Sequence, residues 1–273
     1  MNTRPQSRSL LQRFAVLLIL AGGTALGGGS IAMADAPPQY DHVVVVVMEN
    51  HSFEQIAQPG AAPYLQTLAR NGALFYNSHG VAHPSQPNYL ALFSGSTNGV
   101  RDDGIHEIAG SNLAERLQAA GKAFVGYAEP GSPRKHNPWE SFADARGAGK
   151  SLTKFPRDYA RLPAVSFVIP NLANDMHDGT IMKADAWLKA HLRTYAIWSR
   201  KHNSLLIVTF DEDDGGLENH IFTVFYGAGI KPGRYADRID HYTLLRTIED
   251  IECIAPLGTT IVRTAIGSVW KEP

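Results

Sequence analysis

Cysteine is nearly absent: Cys253 is the only one in 273 residues. An internal disulfide is thereby excluded, and so is a zinc cluster built on thiolates. The chain also lacks any Lys/Arg-rich run, and its 25 Lys+Arg stand against 26 Asp+Glu. The basic footprint of a nucleic-acid binder is missing. Three catalytic or nucleotide-binding signatures are missing too. There is no G-x-x-x-x-G-K-[ST], no G-x-G-x-x-G after a strand-like run, and no serine in G-x-S-x-G. P-loop NTPases, dinucleotide binders and α/β-hydrolase esterases lose their support. What remains is ordinary globular composition, 44% hydrophobic and 19% charged, in a chain long enough to bury one full core.

Residues 1–34 read as a secretory signal peptide. Arg4, Arg8 and Arg13 form a positive n-region, Phe14–Leu20 begins a short apolar stretch, and Ala32-Met33-Ala34 is a small-x-small cleavage site. Gly22, Gly23 and Gly27 to Gly29 interrupt the apolar stretch, which is too weak for a stable membrane span. The sequence therefore predicts a secreted or periplasmic protein, residues 35–273 forming a single domain with no stable span after signal removal.

Along that domain, short apolar runs alternate with helical patterns. His42–Met48, with five consecutive valines, reads as a strand buried on both faces, the kind found in parallel sheets. Ala73–Tyr76, Ala123–Tyr127, Val165–Ile169, Leu205–Phe210 and Ile221–Tyr226 are further strand candidates. Pro63–Arg70, Asn112–Ala120, Lys183–Ser199 and Thr243–Ile251 carry helical patterns, and Pro87 opens another that includes Leu90 to Phe93. The alternation predicts an α/β fold, a mostly parallel central sheet flanked by helices on both faces. Glu129–Asp158 is the one long irregular segment, rich in Pro, Gly and basic residues, and such loops are usually functional when ordered.

Ligands of parallel α/β sheets sit beyond the carboxyl ends of the strands. Three strand candidates end there in polar clusters: Glu49-Asn50-His51-Ser52, Asp211-Glu212-Asp213-Asp214, and Pro170-Asn171 followed by Asp175-Met176-His177-Asp178. Oxygen donors of this kind suit a divalent cation. The acidic run is not a calcium loop, because Phe222 stands where the bidentate Glu belongs. Ser85 precedes Pro87 at a helix start, where backbone N–H groups and the helix dipole favour an anion and a serine can attack phosphorus. His42, His191 and His202 fall in strand or helix patterns and read as structural, whereas His51 and His83 adjoin motif residues.

Taken in order, Met48-Glu49-Asn50-His51-Ser52-Phe53, Ser85-Gln86-Pro87-Asn88, Lys135-His136-Asn137-Pro138, Asn174 to Asp178, Asp211 to Asp214 and Asn219-His220 resemble the bacterial phospholipase C / acid phosphatase family of phosphoesterases, within the alkaline phosphatase superfamily. The likeness runs from about Tyr40 to Glu252 and is strongest to the small secreted acid phosphatases, some of which act on phosphoinositides. It implies an alkaline-phosphatase-like three-layer sandwich and a metal-dependent phosphomonoesterase working through a phosphoserine. Ser85 falls at the nucleophile position and Glu49, Asn50, Asp211 and Glu212 at metal-ligand positions, and all five, Ser85 included, are expected to converge around one cation. His136 and His177 match phosphate-contacting or acid/base histidines, while Asp175, Asp178 and His220 fall in regions that bear a second metal in two-metal relatives. The expected partner is a phosphorylated small molecule or lipid head group, and the expected cofactor a divalent cation at one or two sites. A phospholipase C-type phosphodiesterase and a non-catalytic secreted binding protein are the alternatives. Specificity is expected from the 129–158 loop, with His136 inward and Arg134 and Trp139 bordering the pocket.

Overall fold

A computed structural model describes residues 36–271, so the signal-peptide reading lies outside the described residues. The first strand is β1 (His42–Met48). Its alternate side chains enter two separate cores: Val43, Val45 and Val47 on one face, Val44, Val46 and Met48 on the other. A strand buried on both faces must have neighbours on both edges and layers above and below, and this requirement organises the fold.

The elements that follow are α1 (Phe53–Ala57), α2 (Pro63–Asn71), β2 (Ala73–His79), α3 (Ser85–Ser94), α4 (Leu113–Ala119) and β3 (Phe124–Ala128). Then come β4 (Gly149–Ser151), β5 (Val165–Ile169), α5 (Ile181–Ser199), β6 (Ser204–Phe210), β7 (His220–Gly227), β8 (Gly233–Tyr235), β9 (Ile239–Asp240) and α6 (His241–Glu252). The sheet order is β4-β3-β5-β1-β6-β7-β2-β8, with β9 also on β2. Every pairing is parallel except the two made by β7, which runs against both β6 and β2. Side chains of α3 and α6 share one core with the odd valines; those of α1, α2 and α5 share the other with the even ones. The result is the expected α/β sandwich of three layers. No helix among the described residues is long and apolar enough to cross a membrane.

Two local features fix the layers. The α2 N-terminus follows Ala62, which has no capping oxygen, so Asp185 of α5 does that work: its carboxylate accepts the N–H groups of Tyr64 and Leu65, both at 2.8 Å. All ten residues of α3 are buried, which makes it an interior helix rather than an amphipathic surface one. A hydroxyl at its first turn is thus held in place from every side.

Candidate active site

β1 and β6 are neighbours in register, Met48 opposite Phe210, so the residues that follow them emerge side by side. Asn50 adopts a left-handed conformation (φ 48°), which a short polar side chain tolerates. Its N–H donates to Asp211 Oδ1 at 3.2 Å. Glu49 and Asp211 are both out of water, and Glu212 nearly so. Ser85, the first residue of α3, places Oγ 3.2 Å from Glu49 Oε2 and 3.1 Å from Glu212 Oε1. Glu49, Asn50, Ser85, Asp211 and Glu212 therefore come together from three elements. Asp213 and Asp214 do not join them. Asp213 closes its own loop by accepting N–H groups from Gly215, Gly216 and His220, and Asp214 accepts from Gln55.

A second group adjoins the first through Glu49. His136, fully buried in a 3₁₀ turn of the 129–158 segment, has Nε2 3.3 Å from Glu49 Oε1 and Nδ1 3.7 Å from Asp175 Oδ2. Its ring stacks on Tyr89, centroids 5.0 Å apart, and the Tyr89 hydroxyl donates to Glu49 Oε1. Asp175 Oδ1 accepts the His177 N–H at 2.8 Å, bracing a turn in which the buried Met176 sits at φ 91°. A non-glycine residue there is strained, and such strain collects at functional loops.

The charge balance is the most informative property of the site. Ser85 Oγ carries one hydrogen yet faces two carboxylates. Asn50 Oδ1, Asp175 Oδ2, Asp211 Oδ2 and both ring nitrogens of His136 are buried without a hydrogen-bond partner. Burial, reinforced by Asp211 and Asp175, holds the Glu49 carboxyl well above the usual range. Burial and then Glu212 push Asp211 up to about 7, and burial raises Glu212 even though His83 Nδ1 lies 2.5 Å from it. Clustered acids out of water with orphaned oxygens are costly unless positive charge offsets them. The donor set, carboxylate and amide oxygens plus an imidazole, fits a divalent cation. One atom each of Glu49, His136 and Asp175 also lie within 4.8 Å of one another, a second cluster able to hold an ion.

Several expectations require correction. Asp178 and His220 stand outside the Glu49–His136–Asp175 cluster. Asp178 pairs with His177 Nδ1 at 2.7 Å on the surface, and His220 is engaged by Glu54 and the Tyr76 carbonyl and stacks on Phe53. The phosphate cradle at α3 is also narrower than expected. Pro87 has no N–H and that of Gln86 donates to Asp103 Oδ1 at 3.0 Å, leaving Ser85's own amide. Trp139 is 1% exposed and packs against Phe124 and Gly126, while Arg134 donates to the carbonyls of His106 and Glu140. Both hold the loop together instead of bordering the pocket. Lys135, beside Arg134, does lend positive potential to the site. Burial opposes its charge, but Asp103 at 2.7 Å and the fields of Glu49 and Asp211 raise its pKa. Of the histidines, His83 joins the site through Glu212, His51 bonds the Glu49 carbonyl, and His42, His191 and His202 bond backbone carbonyls of Pro163, Trp187 and Trp198. Sequence reasoning missed Tyr89 altogether, although its spacing of four from Ser85 puts both on one face of α3.

The chain is similar to known phosphatases. A phosphatidylinositol-3-phosphatase of Mycobacterium tuberculosis is 43% identical over 256 residues, covering 88% of this chain and 86% of that one. An acid phosphatase of Aspergillus fumigatus is 29% identical over 74% of this chain; the match spans 53% of the longer fungal protein. Among solved structures, a protein of the alkaline phosphatase superfamily from Vibrio parahaemolyticus superposes with a TM-score of 0.58 at 12% identity, covering 84% of this chain and 71% of that one. A phosphonate monoester hydrolase from Silicibacter pomeroyi gives 0.60 at 12% identity, covering 85% and 77%. At such identities the structures establish the shared fold. The family model matches residues 57–255, and the chain belongs to the Phosphoesterase family.

Proposed function

We propose that the chain is a secreted, metal-dependent phosphomonoesterase that works through a phosphoserine at Ser85 and acts on a phosphorylated small molecule or lipid head group, phosphoinositides foremost. The observation that carries this reading is the placement of Ser85 Oγ between Glu49 and Glu212 at the first turn of a fully buried helix. The name and near full-length match of the mycobacterial relative support the substrate class. The layout of residues 1–34 supports secretion. Glu49, Asn50, Asp211 and Glu212 would hold one divalent cation and Glu49, His136 and Asp175 a second, supplying Lewis-acid neutralisation of phosphoryl charge.

Water and the chain's own groups carry the proton traffic. Ser85 Oγ attacks phosphorus and gives up its proton to water, since Glu49 and Glu212, the two carboxylates it faces, are groups that would hold the cations. The phosphorus–oxygen bond to the alcohol breaks, and the departing oxygen takes a proton. His136 is sealed between Tyr89 and Asp175 and serves to position Glu49. His177 is partly exposed, paired with Asp178, with its ring 6.3 Å from that of His136, and it is the acid open to the leaving group, a role worth about 10²–10⁴-fold. A water then attacks the phosphoserine, frees phosphate and restores Ser85. The test is Ser85→Ala assayed on a chromogenic phosphomonoester and on phosphatidylcholine, beside wild type before and after exhaustive chelation. The variant should lose nearly all monoesterase activity with its fold intact, and chelated wild type should lose activity that divalent cations restore. Near-wild-type turnover by the variant would eliminate the covalent route, and faster turnover of phosphatidylcholine than of the monoester would replace the monoesterase reading by a diesterase one.

A further inference from the structure

Away from Ser85, a hollow of about 520 Å³ opens beside β3 and β4, and none of the residues of the catalytic cluster line it. Four cations do: Lys150, Lys154, Arg157 and Arg161. Seven cations elsewhere on the molecule, among them Lys122, Lys135 and Arg246, are held by a carboxylate. The four at the hollow have neither an ion pair nor a side-chain hydrogen bond among the described residues. The one acid at the rim, Asp158, already accepts the Ala160 N–H as a helix cap. Four cations without an ion pair thus stand around one concavity against a single acid. Lys150 lies on the edge strand β4, where a lysine discourages further pairing. That reason does not extend to the other three, which follow the strand.

The floor of the hollow adds an independent observation. Tyr127 is 3% exposed and its ring meets Phe155 edge-on at 5.1 Å inside the core, yet it lines the hollow, and its hydroxyl bonds to no described group. The hydroxyl therefore opens into the hollow, where it is free to donate to a ligand. Four cations and one phenol against a single carboxylate make a surface dominated by donors and positive charge, complementary to a ligand rich in acceptor oxygens and negative charge.

We propose that this hollow is a second, non-catalytic site that binds a compact polyanion carrying two or more phosphate groups on a ring-sized body. Guanidinium forks of Arg157 and Arg161 match phosphate oxygens in pairs, and the two lysines add point charges. The same chemistry is offered by a free polyphosphorylated polyol and by a phosphoinositide head group at a bilayer surface.

Calorimetric titration with inositol hexasulfate, which the phosphatase reaction does not consume, tests the site at near-physiological salt. Wild type should bind, more weakly as salt rises. Lys154→Gln/Arg157→Gln/Arg161→Gln should weaken binding at least tenfold while leaving turnover of a small chromogenic phosphomonoester unchanged, which also shows that the variant folds. Tyr127→Phe should weaken it a few-fold. Absence of wild-type binding, or equal binding by the triple variant, overturns the proposal. Sedimentation with phosphatidylcholine vesicles doped with a phosphatidylinositol bisphosphate, against undoped vesicles, then assigns the source: co-sedimentation lost in the triple variant means a membrane head group, and binding to the soluble probe alone means a free polyanion.

Discussion

Glu249 lies on α6 with its side chain out of water. Burial pushes its carboxyl from 4.5 up to about 7, against the pull of Thr260, the Leu257 N–H and Arg246. Oε1 accepts the Leu257 N–H at 2.9 Å, whereas Oε2 has no partner. The folded protein therefore binds this proton more tightly than the unfolded chain does. Its stabilising effect is complete below about pH 4.5 and is lost as the pH climbs to 7, at about 1.4 kcal/mol per unit and no more than about 3 kcal/mol in all. Glu249→Gln keeps the acceptor for Leu257 and cannot ionise. Thermal unfolding of the variant and wild type should nearly coincide at pH 4.5 and separate at pH 8, the variant melting up to roughly 6–12 °C higher, since each 1 kcal/mol moves a chain of this size by roughly 2–4 °C. Other titrating groups are common to both proteins and cancel in the difference. A gap that is the same at both pH values would refute the reasoning, because it would mean that folding leaves this carboxyl at its ordinary pKa.

Tyr89→Phe preserves the stack on His136 and removes the hydroxyl that orients Glu49. It should lower kcat about tenfold, equivalent to about 1.4 kcal/mol of transition-state stabilisation, and unchanged kcat would deny Tyr89 a positioning role. Gly126→Ala puts a Cβ into the ring of Trp139, which has no room to retreat. Overpacking of this kind costs about 1–3 kcal/mol, so the variant should melt several degrees lower and lose activity through the turn that carries His136; wild-type melting would show that the loop yields freely.

The parts of this fold that were legible in sequence share a physical reason. His42–Met48 and Val165–Ile169 match their strands to the residue because β-branched runs bounded by polar clusters admit few other readings. The convergence of Glu49, Ser85, Asp211 and Glu212 was legible because strand ends share one rim. The reversed direction of β7 was not, since an apolar run reads the same both ways. Tyr89 hid inside a helix whose every residue is buried, where an aromatic reads as core packing. His220 follows an acidic motif in sequence, but its place on β7 turns it toward Glu54, and Trp139 read as a pocket wall only because its segment lacks periodicity. The 129–158 stretch is instead a chain of 3₁₀ turns interrupted by the short edge strand β4.

The strand order has a consequence for synthesis. Val43 pairs with Val165 on one side and Leu205 on the other, so the most apolar strand of the sheet is made early and finds its partners only when most of the chain exists. During that interval five valines stand with both edges open, the kind of segment that adds to copies of itself. Neither acidic cluster exists in that interval either, because Asp175 and Asp211 follow the two late strands. Recovery of activity after denaturation thus reports closure of the central pairings, and crowding of refolding chains should depress its yield before it slows its rate.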